Sequence, residues 1–412
     1  MGNDFGFLPA AVRQRMGNSR GTATVLVSAA IFMDVLIYSI VIPILPSYVL
    51  HVGGDEATLG VIFGAYPVML FLFSVPMGML SDRVGRRPIL LSGVGLLAAA
   101  TVIFGLAASV PALIAARALQ GVSAAASWSA GLALLAETFG RSGIGRRMGV
   151  VMSVMGFGMM VGPVTGGVLY EHLGYVPTFV VAAVFIGLLG LVMLLLPARF
   201  GRPSPSPNRS LMPGSTALPL LILYAAVIVA VAATYSIMEP YMPVYLHDTF
   251  AASPTIIGAV LGALAFAGVI AQPLAGRVFD RHGGWQMIPA GLILSGAVIV
   301  AAMGAASLPL LALILSMLGV TLSLALIPVM PLLAELYCRD GREGSEGIAY
   351  GVFNALYSVG LALGPFSGAL LLSAFPLPAI FAGHAFAVAL VGGLGFVYLQ
   401  RCGVERGCLT ES

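Results

Sequence analysis

Stretches of twenty or more mostly apolar residues recur from one end of this chain to the other, and they constrain the fold more than any other feature. A bilayer core of ~30 Å is crossed by about 20 helical residues. Within lipid the backbone must satisfy its own hydrogen bonds, which restricts a spanning segment to a helix or to a strand of a closed barrel. Counted this way, twelve helical spans are expected, at 22–46, 57–80, 88–108, 111–137, 148–170, 175–197, 218–244, 255–275, 286–306, 309–335, 347–372 and 377–400. Composition agrees, with 59% of the 412 residues hydrophobic and 8% charged, against about a quarter charged in soluble domains. The chain reads as an all-α polytopic membrane protein whose first partner is the lipid bilayer, with no nucleic-acid partner.

Orientation follows from arginine, because all 19 basic residues are Arg. Apart from Arg117, which lies within the fourth span, they fall in the termini or in loops on one side, and the opposite loops contain none. By the positive-inside rule both termini are cytoplasmic. Cys338, Cys402 and Cys408 lie near that same face, so no disulfide framework is expected. Residues 1–20 carry no short apolar core followed by a cleavage site, so no signal peptide is expected. Residues 198–217 are dense in Pro, Ser and Gly and read as a linker.

The halves on either side of that linker repeat each other. Pro43-x-x-Pro46-x-Tyr48 returns as Pro240-x-x-Pro243-x-Tyr245, at an offset of 197 residues. Gly78-x-x-x-Asp82-Arg83-x-Gly85 returns as Gly276-x-x-x-Asp280-Arg281-x-Gly283, offset by 198. The array from Gly149 through Gly158, Gly162, Pro163 and Gly166 returns as Gly351, Gly360, Gly364, Pro365 and Gly368, offset by 202. The expected organisation is a cytoplasmic segment 1–21, a six-helix bundle 22–197, a linker 198–217, a second six-helix bundle 218–400 and a tail 401–412. Two like-oriented bundles related by a pseudo-two-fold axis enclose a central site, and rocking one against the other exposes it to each side in turn.

Few residues in the spans are ionisable, and those few are candidates for function. Asp34 lies about 18 Å into the first span at 1.5 Å per residue, with Tyr38 one turn further on the same face. A buried carboxylate is neutralised either by a proton or by a bound cation, and that mutual exclusion is what an exchanger requires. The alternative is a structural ion pair with Arg117. Glu239 aligns through the proline repeat with Ile42 and would sit ~12 Å nearer the outer face than Asp34 on a straight helix. It is either a second cation or proton site or a helix-end residue in outer water. Arg117 either pairs with an acid in one conformational state and so couples to protonation, or holds packing permanently. Asn354 and Tyr357 line one strip of the eleventh span, as substrate contacts or as interhelical packing. Tyr38, Tyr66, Trp128, Tyr241 and Tyr357 offer aromatic faces for a cation.

The residues between the second and third spans, Gly78-x-Leu80-x-Asp82-Arg83-x-Gly85-Arg86-Arg87-x-x-Leu90, resemble a signature of the major facilitator superfamily. Leu113-x-x-x-Arg117-x-x-Gln120-Gly121 is similar to its fourth-span signature, and the Gly149–Gly167 array to the fifth-span signature of its drug:proton antiporters. A narrower resemblance is to vesicular monoamine and acetylcholine transporters and their bacterial relatives. It rests on Asp34 with Pro43 and Pro46, on Glu239-Pro240-x-x-Pro243 and on Ala116-Arg117-x-Leu119-Gln120-Gly121. The second-span lysine of that group aligns with Tyr66, and its tenth- and eleventh-span aspartates with Leu326 and Asn354.

The resemblance implies the major facilitator fold and a proton-coupled antiporter that exports organic cations, monoamines or cationic lipophilic drugs. It implies no catalysis, metal or cofactor, the proton gradient being the driving force, and a monomer in a bacterial plasma membrane. Asp34, Tyr38, Glu239, Asn354 and Tyr357 would bind substrate, and Asp34, Glu239 and Arg117 would couple to protons. Asp82, Arg83 and Arg86 would latch the halves together when the site faces outward, and Gly162 and Pro163 would permit close packing and bending. The competing expectation is the same fold exporting a neutral solute, a sugar or an uncharged antibiotic. An integral-membrane enzyme or sensor finds no supporting motif in the chain.

Overall fold

The computed structural model describes residues 19–139, 141–195, 218–282, 285–338 and 346–401. The linker expected at 198–217, Cys402 and Cys408 lie outside them. Among the described residues there are fourteen helices and no strand. The first half contains α1 (Ser19–Ile40), α2 (Leu45–His51), α3 (Glu56–Val84), α4 (Arg86–Leu106), α5 (Val110–Phe139), α6 (Arg141–Leu173) and α7 (Tyr175–Leu195). The second contains α8 (Leu218–Phe250), α9 (Pro254–His282), α10 (Met287–Met303), α11 (Leu308–Leu326), α12 (Val329–Cys338), α13 (Glu346–Leu372) and α14 (Leu377–Arg401). Among the described residues eleven candidate spans are long and apolar enough to cross a bilayer, and α10, with 17 residues, is a shorter apolar helix at the place of the ninth expected span.

Two expected spans are built from two helices each. The first breaks at residues 41–44, where Pro43 has no N–H to continue the ladder and the carbonyl of Ser39 accepts from Ile42 N in a tighter turn at 3.2 Å. The tenth breaks at residues 327–328, with Pro328 just before α12. In contrast, α8 runs without interruption through Pro240 and Pro243. The repeated prolines therefore produce a break in one half and a continuous helix in the other.

Side-chain hydrogen bonds reproduce the sequence repeat more closely than helix boundaries do. Ser39 Oγ donates to Gly158 O at 3.2 Å, and Ser236 Oγ donates to Gly360 O at the same distance. Tyr48 Oη reaches Ala107 O at 2.7 Å, and Tyr245 Oη reaches Met303 O at 3.3 Å. Each serine stitches the first helix of its half to the fifth span where glycines let the backbones approach. Gly162 lies against Ser39, and its counterpart Gly364 against Ser236. Both therefore serve close packing, as expected for Gly162.

The halves meet along two seams, α3 against α13 and α6 against α9, and the second is packed from the arginine-free end to about mid-helix, where Gly156 of α6 meets Val269 of α9. Gly60 of α3 packs on Pro365 and Ala369 of α13. Gly258 of α9 packs on the backbone of Pro163, and Gly167 of α6 on Pro254 and Thr255. Glu171 at the end of α6 accepts from Thr255 N of α9 at 3.0 Å. Toward the arginine-rich end the same helices separate. In α3 the buried residues run from Leu59 to Pro67, and from Val68 to Leu80 none is buried. On α13, Pro365 is buried while Asn354, three helical turns inward on nearly the same face, is exposed. The molecule is open toward the arginine-rich side.

The cluster expected to latch the halves instead stays within the first half, among the described residues. Gly85, at φ 109, turns the chain from α3 into α4. Arg86 then pairs with Asp82 and, at 2.7 Å, with Glu137 of α5. Arg87 donates to the last carbonyls of α7, Met193 O and Leu194 O, both at 3.1 Å. Arg83 is exposed. This arrangement accords with closure at the opposite end, where no latch on this side is required.

Because the seam at Gly258 leaves no room for a Cβ, Gly258→Val is expected to disfavour closure by about 1–3 kcal/mol, the usual cost of overpacking. The measurement is the distance between spin labels at Thr58 and Ser373, in a background lacking native cysteines. It should lengthen in a larger fraction of molecules, and an unchanged distribution would show that this contact does not hold the gate.

Candidate functional site

The charged centre is assembled from α1, α3, α5 and α8. On α1, Asp34 is 1% exposed. Its Oδ2 accepts two hydrogen bonds, from Tyr66 Oη of α3 at 2.8 Å and from Trp128 Nε1 of α5 at 2.9 Å. Its Oδ1 is buried and has no hydrogen-bond partner among the described residues. The ion pair with Arg117 considered from the sequence is absent among the described residues, and two neutral donors hold Asp34 in its place.

Glu239 of α8 is 6% exposed, which removes the reading of a helix-end residue in outer water. Tyr38, one turn beyond Asp34 on α1, donates its hydroxyl to Glu239 Oε2. This bond crosses from the first half to the second. The Tyr38 ring stands against Tyr66, with centroids 4.8 Å apart, so a single connected path runs from Glu239 through Tyr38 and Tyr66 to Asp34.

Arg117 is fully buried on α5 and is surrounded by rings. Its guanidinium carbon lies 5.0 Å from the ring centre of Tyr38, 5.2 Å from Phe63, 5.7 Å from Tyr66 and 5.8 Å from Phe104. One hydrogen bond, Nη1 to Gln120 Oε1 at 3.1 Å, fixes its orientation, while Nε and Nη2 have no partner among the described residues. Ring faces attract a desolvated cation by roughly 2 kcal/mol or more each in favourable cases. The cage therefore keeps a guanidinium beside both acids without committing it to either.

Other candidates take different places. Tyr357 of α13 is half-buried and stacks on Phe353 at 5.9 Å, within electrostatic reach of Glu239. Asn354 is exposed, and no hydrogen bond joins its side chain to either acid among the described residues. Tyr241 is fully buried and donates to Pro365 O at 2.8 Å, tying α8 to α13 at the closed end. Trp128 entered the sequence reading only as an aromatic face, and its N–H proves to be its main contribution. The signal was present: Arg117, Gln120, Ala124 and Trp128 fall at i, i+3, i+7 and i+11, on one face of α5. No cluster of His, Cys, Asp and Glu suited to a metal exists among the described residues.

This geometry describes a membrane transporter with a sequestered central charge site. The sequence model of the Major Facilitator Superfamily matches the chain twice, over residues 27–250 and 223–406. The chain belongs to the Major Facilitator Superfamily, a class of transporters rather than enzymes. It is 28% identical over 376 residues to the human MFS-type transporter SLC18B1, covering 86% of this chain and 81% of that one. It is 26% identical to the rat vesicular acetylcholine transporter, covering 95% and 81%. Among solved structures, a bacterial homologue of the human lysosomal transporter Spinster, in an inward-facing and occupied conformation, superposes with a TM-score of 0.74 at 16% identity over 93% of this chain and 95% of that one. The nucleoside transporter NupG superposes at 0.72 with 12% identity, over 91% and 99%. These two likenesses concern the fold.

Tyr38→Phe keeps the ring against Arg117 but removes the hydroxyl on Glu239. Leaving a buried carboxylate short of its donor costs about 1–3 kcal/mol. The expected outcome is a lower melting temperature in detergent together with a larger fraction open toward the arginine-free side, read by the same spin-label pair.

Proposed function

We propose that this transporter is a proton-coupled antiporter for organic cations, monoamines or cationic lipophilic compounds, working by alternating access. The observation that carries the proposal is Asp34 with its buried, unpartnered Oδ1 in the middle of the first span. Two acids and one arginine leave an excess negative charge in the bundle when all are ionised, and a proton or a substrate cation removes it equally well. Competition between the two at one carboxylate is the chemical basis of exchange.

In the proposed cycle the cation enters from the arginine-rich, cytoplasmic side, where the molecule is open. It displaces a proton from Asp34 or Glu239. After the halves rock, protons from the outer side displace the cation outward. One proton per monovalent cation is electroneutral and draws only on the pH gradient, about 1.4 kcal/mol per pH unit. Two protons also draw on the membrane potential, about 2.3 kcal/mol per 100 mV for the net charge moved. We further propose a monomer in the plasma membrane with both termini in the cytoplasm, on the strength of the arginine distribution. Support for cation chemistry comes from one of these relatives, which is named for acetylcholine, a cation.

Asp34→Asn should abolish uptake of a fluorescent amine into inverted vesicles energised by a pH gradient, to below about a hundredth of the wild-type rate, with the protein still folded by size exclusion. Uptake at the wild-type rate would sink the role of Asp34. For Glu239→Gln, equilibrium binding should weaken roughly tenfold for a cationic ligand and change less than about twofold for a neutral ligand of the same shape. Equal losses for both would favour export of a neutral solute.

A further inference from the structure

The two oxygens of Asp34 stand in unlike surroundings, and the difference bears on what the site accepts. Oδ2 takes both available donors, Tyr66 Oη and Trp128 Nε1, at 2.8 and 2.9 Å. Oδ1 takes none, although it is as deeply buried. Tyr66 is packed against Tyr38 and Ala124, so its hydroxyl is not free to swing to the other oxygen. Trp128 is held in the same cluster, which Leu70 and Met159 cover as partly buried residues. The cover over this cluster is therefore incomplete, since Leu70, Trp128 and Met159 all keep some exposure.

We infer that Tyr66 and Trp128 make Asp34 a one-oxygen receptor, so that the site binds ammonium cations through a single N–H donated to Oδ1. Tyr66 and Trp128 are positioning residues: they hold Oδ2 and thereby fix which atom the ligand meets. The inference rests on the cation-antiport reading and adds a rule for which cations qualify. One N–H satisfies Oδ1, so primary, secondary and tertiary ammonium groups are equivalent at this atom. A quaternary ammonium, the class to which acetylcholine belongs, brings the charge without a donor and leaves the buried acceptor unsatisfied, so on this inference the chain parts from the relative named for acetylcholine in the cations it takes. Sites built to donate or accept a hydrogen bond discriminate strongly against ligands that lack the partner.

The test is a methylation series, 2-phenylethylammonium and its N-methyl, N,N-dimethyl and N,N,N-trimethyl derivatives. Binding to the purified full chain is measured by calorimetry at one pH where all four are cationic. The expected result is a step: the first three bind within about threefold of one another, and the fourth falls by about tenfold or more. Tyr66→Phe and Trp128→Phe, each checked for an intact melting transition, each remove one of the two donors on Oδ2, and the double variant removes both. In the double variant Asp34 offers two oxygens, and the primary and secondary amines gain over the tertiary by more than about threefold, with a smaller gain in each single variant. A merely structural role for these rings would lower all four affinities together and leave the step where it was, which overturns the inference. So does a wild-type affinity that declines smoothly along the series or does not fall at the quaternary member. If none of the four binds, the cation reading fails and this inference falls with it, a result distinct from binding without a step.

Discussion

The interior of this transporter is organised by a charge that no neighbouring side chain neutralises. Asp34, Glu239 and Arg117 are all buried, and taking an ion out of water costs several kcal/mol unless a partner compensates. The obvious compensation, an ion pair, is not used at Asp34 among the described residues, and Arg117 is instead held by the faces of Tyr38, Phe63, Tyr66 and Phe104. Polar donors stabilise each acid without cancelling it, through Tyr66 and Trp128 on Asp34 and Tyr38 on Glu239. A permanent salt bridge would have left nothing for a travelling cation to do. The aromatic cage holds the guanidinium without an ion pair to either carboxylate, which under the proposed function would leave both able to exchange.

The same constraint links the site to the gate. Tyr38 and Glu239 belong to opposite halves, and their bond lies on the path by which the halves separate. Closure at the arginine-free end rests on backbone approach at Gly60, Gly167 and Gly258 and on Glu171 meeting Thr255 N. Contacts of this kind are either made or lost, because close-packed interfaces are bistable rather than continuously deformable. Under the proposed function, a change in what occupies Glu239 would alter a bond that joins the two halves, so that chemistry and conformation would share one atom pair.

Much of the fold was legible in the sequence because it was written twice. The glycine arrays, the PxxPxY segments and the loop signatures recur at nearly constant offset, and the serine and tyrosine bonds of the two halves match in kind. The site was legible in part: an acid in an apolar span is conspicuous, so Asp34, Glu239 and Arg117 announced themselves. Their partners did not. Tyr66 stood out only as a ring and as the replacement for a lysine, and Trp128 only as a ring, because hydrogen-bond direction between helices distant in sequence leaves no local pattern. The break at residues 41–44 was hidden too, since the same proline spacing gives a continuous helix in α8. The position of Arg86 depended on conformational state, to which sequence is silent.

The repeat also shows which parts are scaffold and which are specialised. Tyr38 has a counterpart, Tyr235, at the same offset of 197 that relates the proline segments. Tyr235 lies beside Gly268 within its own half, whereas Tyr38 reaches across to Glu239. Asp34 aligns with Val231, and Glu239 with Ile42, so neither acid has a twin. A symmetric pair of acids would lie at one depth and face one another across the axis. Here the duplicated Tyr38 donates to Glu239 and the neighbouring Tyr66 to Asp34, so two unduplicated acids are linked through adjoining rings, with Tyr38 one turn beyond Asp34 toward the closed end. Asymmetry of this kind gives a two-fold scaffold a direction, because the acid nearer each exit meets its own compartment first.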